Sequence, residues 1–74
     1  MILVRYDLQV FSDALRRLIK ILSSIEDDIE IESMSNAIAP FVIVADEEKK
    51  EEIKKRLKAE NYTIATHKNC IFVF

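Results

Sequence analysis

Few residues in this chain are of types that do chemistry. His67 is the only histidine; it sits beside Lys68, with no cysteine, serine or carboxylate at a spacing that would make it a recognisable base or metal ligand, so it reads as a surface turn residue. Cys70 is the only cysteine and opens an apolar run, which makes it a small buried hydrophobe rather than a reactive thiol, because nothing local would lower its pKa. One cysteine excludes an internal disulfide framework and a zinc site built on paired cysteines, and it suits a reducing cytoplasm. Asp27, Asp28, Glu30 and Glu32 form the best candidate cation site, since Asp28, Glu30 and Glu32 share one face of an extended segment about 6 to 7 Å apart in succession. The competing account, charge on the outer face of an edge strand that discourages sheet stacking, is preferred, and neither a metal nor another cofactor is expected.

Glycine is absent from all 74 residues, where average usage of about 7% would give roughly five. Phosphate loops and dinucleotide fingerprints need glycine to bring backbone N–H groups against a phosphate, so neither is possible, and every tight turn falls to Asn, Asp or Ser. The net charge of −2 and the scattered basic residues lack the electrostatic footprint of a nucleic-acid or anionic-membrane binder. Tyr6 and Phe41 could stack on bases, but basic neighbours are missing. No basic leader with a cleavage site opens the chain and no apolar run approaches about 18 residues, so the expectation is a cytoplasmic protein that neither binds nor crosses a membrane. No nucleophile, acid–base pair or metal constellation stands out, and no enzymatic activity is expected.

The elements that carry these residues follow from hydrophobic periodicity. Ile2, Val4, Tyr6 and Leu8 alternate with Leu3, Arg5 and Asp7 and predict a strand with one apolar face. Ser12 and Asp13 supply N-cap and first-turn chemistry to a helix striped by Leu15, Leu18, Ile19, Leu22 and Ile25, with Arg16, Arg17 and Lys20 on its wet side. Ile29, Glu30, Ile31 and Glu32 alternate strictly, as in an edge strand. Ser33 to Ala39 reads as a hairpin connection, and Pro40 introduces Phe41-Val42-Ile43-Val44-Ala45, apolar on both faces. Such a run belongs in mid-sheet, with its helix-free face at least partly covered, for which a dimer contact is one cover.

Asp46 is placed to cap a second helix, with Glu47 and Glu48 in its first turn and Lys54, Lys55, Arg56 and Lys58 toward its end. Glu51–Lys55 and Glu52–Arg56 are the expected i,i+4 pairs, and Ile53, Leu57 and Ala59 its only apolar stripe. Asn61 serves as a left-handed C-cap in place of glycine. Tyr62 to Thr66 is either a fifth short strand or an extended lead-in to the closing strand Cys70–Phe74. A single domain over residues 1–74 is expected, of α+β class: a ferredoxin-like βαββαβ sandwich, with an antiparallel four-stranded sheet, two helices on one face and a central hairpin joining the second and third strands.

Several stretches together resemble the ACT domain, a small regulatory module of amino-acid metabolism. Asp7 through Leu15 resembles that family's loop between first strand and first helix, with its proline-glycine turn replaced here by Leu8-Gln9-Val10-Phe11-Ser12. Asp28-Ile29-Glu30-Ile31 resembles the lead into its second strand, Phe41 to Asp46 its third strand, and Asn61-Tyr62-Thr63-Ile64 the segment after its second helix. The resemblance implies a dimeric regulatory module that binds a small amino acid or similar metabolite at Asp7, Gln9, Phe11, Ser12, Asp13, Asp28 and Ile29. The alternative is a ferredoxin-like protein–protein interaction module with no small-molecule ligand.

Overall fold

The computed structural model describes residues 1–35 and 38–74. Its elements run β1 (Ile2–Asp7), α1 (Ser12–Ser23), β2 (Ile29–Met34), β3 (Phe41–Val44), α2 (Glu47–Ala59), β4 (Ile64–His67) and β5 (Cys70–Val73). The strands form one five-stranded sheet in the order β2-β1-β3-β5-β4. β1 and β2 are parallel, with Ile2 opposite Ile29 and Arg5 opposite Glu32; the remaining ladders are antiparallel.

The sheet is therefore mixed and five-stranded, which corrects the expected antiparallel four-stranded ferredoxin-like arrangement. β2 lies beside β1 instead of forming a hairpin with β3. Within the expected 33–39 hairpin, Asn36 and Ala37 lie outside the described residues. The strand order sorts by polarity. β1, β3 and β5 each bury apolar side chains completely and take the centre, while β2 and β4, without a fully buried residue, take the edges. Tyr62 to Thr66 resolves into β4, whose Ile64–His67 pairs with Val73–Cys70.

One cluster forms the core. It joins Leu18, Ile21 and Leu22 of α1 and Ile53 and Leu57 of α2 to Ile2, Val4, Phe41, Ile43, Ile71 and Val73. These strand residues have one parity in the registers, so both helices cover the same face. Ile21, outside the predicted stripe, replaces Leu15 and Ile19 as a fully packed position; those two are only half-buried. In α2 the stripe narrows to Ile53 and Leu57, with Ala59 exposed. The expected i,i+4 pairs give way to Lys54–Glu51 at 3.3 Å and Arg56–Glu60 at 3.9 Å, as Arg56 turns toward the helix end.

The helix ends explain how a chain without glycine turns. Asn61, at φ 68, closes α2 in a Schellman motif: its N–H donates to the Lys58 carbonyl at 3.0 Å, and the Tyr62 N–H donates to the Leu57 carbonyl at 3.0 Å. Lys68, at φ 54, opens the two-residue β4–β5 turn, the place glycine takes in a II′ hairpin, and its carbonyl accepts from Lys50 Nζ. Asp46 is the N-cap residue of α2, without a side-chain hydrogen bond to the helix. Ser12 is not the N-cap of α1; that position falls to Phe11, whose side chain cannot accept, and Ser12 is the first helical residue.

Candidate functional site

At the C-terminal end of β1, two loops meet. Asp7 closes a turn: its Oδ1 accepts from the Gln9 N–H at 2.9 Å and its carbonyl from the Val10 N–H at 3.0 Å. An Asx turn thus does the work of a glycine-containing turn. The Asp7 N–H donates to the Pro40 carbonyl at 2.9 Å and ties this loop to the lead into β3. Between the loops lies an open cleft of about 280 Å³ lined by Asp7, Gln9, Val10, Ile38, Ala39 and Pro40. Leu8 and Phe11 on one loop and Ile38 on the other project into solvent, 68%, 83% and 83% exposed.

The residues assigned to a ligand by resemblance are only partly brought together. Asp7 and Gln9 line the cleft; Phe11, Ser12 and Asp13 follow them into the first turn of α1, where Asp13 faces Arg16 at 3.7 Å. Asp28 and Ile29 lie at the other end of the sheet. The Asp28 carbonyl accepts from the Ile2 N–H at 2.9 Å and Ile29 stands opposite Ile2, so the length of β1, about 17 Å at strand rise, separates them from Asp7. The helical crossover causes this separation, because α1 returns the chain to the starting end of β1 before β2 begins.

The acidic set does not converge either. Glu32 Oε1 accepts from Arg5 Nε at 2.8 Å, and among the described residues no three His, Cys, Asp or Glu side chains are grouped to hold a metal ion. The Asp28 N–H donates to Glu26 at 3.3 Å and holds its carboxyl below the usual 4.5, aided by the Met1 ammonium and Lys49.

The second feature is the sheet face opposite the helices. The registers place Glu32, Arg5, Val42, Phe72 and Ala65 in one row across it, and Glu30, Leu3, Val44, Cys70 and His67 in the next. Charge gathers on β2 and β1, while Val42, Val44, Cys70 and Phe72 make an apolar centre. Val42 is only 9% exposed, yet it is outside the core cluster, so a second apolar assembly lies on this side of the sheet. Phe74, 53% exposed, extends it beyond β5. The clue in the sequence was the two-sided apolar run of β3; the matching residues Leu3, Cys70 and Phe72 needed the register, because alternation assigns a parity to each strand without saying which parities meet.

Among the described residues, no helix is long and apolar enough to cross a membrane. Comparison with models of protein families, with curated proteins and with solved structures finds no match to this chain.

Proposed function

We propose that this chain is a protein-interaction module that docks through the helix-free face of its sheet, acting by binding and without catalysis. The observation that carries this reading is the in-register apolar centre of half-buried Val44, Cys70 and Phe72 around buried Val42, on the sheet face opposite α1 and α2. Antiparallel sheets with one wet face ordinarily alternate polar residues outward; here the outward positions of the two strands β3 and β5 are apolar. A contiguous apolar patch rimmed by charge marks a contact surface. In the reducing cytoplasm the sequence favours, the Cys70 thiol would stay free within that contact. The test is a photo-crosslinking phenylalanine analogue placed at Phe72, with the same group at Glu48 on the outer side of α2 as control. Protein adducts from position 72 and none from position 48 are expected in cells; no adduct from position 72, to any protein including the chain itself, refutes the reading.

A second reading, an ACT-like regulatory module sensing a small amino acid or similar metabolite, is favoured by the cleft of about 280 Å³ at Asp7, Gln9 and Val10, close to the volume of small-ligand sites. It stands second because the mixed five-stranded sheet differs from the antiparallel four-stranded sheet expected alongside that resemblance. Thermal unfolding against a panel of free amino acids tests it: a ligand at about 100 times its Kd adds about 2.7 kcal/mol, and no midpoint shift with any of them removes this reading.

A further inference from the structure

Resting on the reading of the helix-free face as an interface, we infer that its partner is a second copy of this chain, docked face to face about a two-fold axis that runs along β3. The acidic β2 edge and the positive charge of Lys68 beside the β4 edge select both the partner and the axis. Glu30 and Glu32 lie on the β2 edge, His67 on the β4 edge with Lys68 following it, and the apolar residues between them. A two-fold axis in the interface plane and along β3 carries β2 of one copy over β4 of the other. Residues of one row then meet residues of the same row: Glu30 faces His67, Leu3 faces Cys70, Arg5 faces Phe72, and Val42 and Val44 meet their own counterparts.

Glu32, paired with Arg5, faces the partner's Ala65, and none of these meetings sets like charges together. The Arg5 guanidinium, held in place by Glu32 at 2.8 Å, is positioned to stack on the partner's aromatic ring. The alternative in-plane axis, across the strands, sets β2 on β2 with Glu32 against Glu32, and like charges at close range oppose it. Sheet twist turns the two strand directions by about 30° without changing which edges meet.

The size of the face sets the strength. Five strands about 4.8 Å apart span about 24 Å, and the two rows together with the Phe74 position beyond them about 20 Å, so each copy offers roughly 480 Å² in plan. The two copies together cover about 960 Å², below the roughly 1,200–2,000 Å² of stable interfaces and in the range of weak, transient ones, so the dimer dissociates on dilution.

Sedimentation equilibrium over a wide concentration range, with Cys70 alkylation read in parallel, tests the proposal. Expected are a mass that rises from one copy to two and a thiol that reacts several-fold more slowly at high concentration. Val44→Lys and Phe72→Lys abolish the rise while circular dichroism confirms that they fold. The exposed rim supplies variants that leave the centre intact: Glu30→Lys and His67→Glu each weaken association about fivefold to tenfold, since the axis counts each contact twice, and the double variant recovers it. A monomer at every concentration, a dimer indifferent to the sheet-face variants, or tightening by Glu30→Lys alone overturns this assembly. A monomer whose position 72 crosslinks to a different protein overturns self-pairing and leaves the interaction reading standing; a monomer without any crosslink removes both.

Discussion

Replacing Leu57 by Ala tests how α2 is held. Of its 13 residues only Ile53 and Leu57 are buried, both completely, while the rest are mostly charged and solvated. Truncation removes three buried carbons, about 0.8 kcal/mol each in transfer alone, and leaves a cavity under a helix whose only other anchor lies one turn away. The sum is about 3–4 kcal/mol. A domain of this length holds roughly 4–11 kcal/mol in total, so the variant loses a large share of its stability. Urea unfolding followed by circular dichroism at fixed protein concentration should show that loss as a lowered midpoint with little change in slope, and thermal unfolding a midpoint about 15–20 °C lower. A loss under about 1 kcal/mol would refute the argument, because it would mean that α2 is held by something other than these two side chains. Ala59→Leu on the exposed side of the same helix should change stability by less than about 0.5 kcal/mol.

Three more outcomes follow from local chemistry. Phe11→Asp gives α1 the N-cap acceptor it lacks and should raise unfolding free energy by about 1 kcal/mol in the same urea assay; an unchanged midpoint would show that the N-terminal N–H groups are already satisfied by solvent. Lys68→Gly relieves a positive φ of 54 in the β4–β5 turn and should stabilise by up to about 1 kcal/mol, whereas Lys68→Val should destabilise. Glu26, whose folded pKa is depressed, contributes stability that is present above its unfolded value near 4.5 and is lost as pH falls through the folded value; Glu26→Gln should flatten that part of the acid limb in urea midpoints measured against pH, and an identical limb would show that other carboxyls carry it.

The elements were largely readable because each reports a local period. The two helices, the two-sided burial of β3 and the left-handed Asn61 follow from spacing and capping chemistry alone. The neighbour of β2 did not, since a helical crossover returns β2 in the direction of β1 whether it lies beside β1 or beyond β3, and Ile29-Glu30-Ile31-Glu32 alternates identically in either place. Phe11 as N-cap was hidden for a similar reason: Ser12 has the better capping chemistry, but the Asx turn at Asp7 fixes where the chain enters the helix. Asp28 and Ile29 join Asp7 only through the resemblance, whose site lies between two subunits, and the apolar centre of the open face emerges only when β1, β3 and β5 are laid in register.

The ladder between β1 and β3 separates the molecule into two stretches that are each continuous in sequence: β1, α1 and β2 before it, and β3, α2, β4 and β5 after it. Every other strand pairing is internal to one stretch. The first stretch brings Ile2, Val4, Leu18, Ile21 and Leu22 to the core, the second Phe41, Ile43, Ile53, Leu57, Ile71 and Val73. The β1–β3 ladder and the α1–α2 contact consequently form an internal interface between a βαβ unit and a βαββ unit.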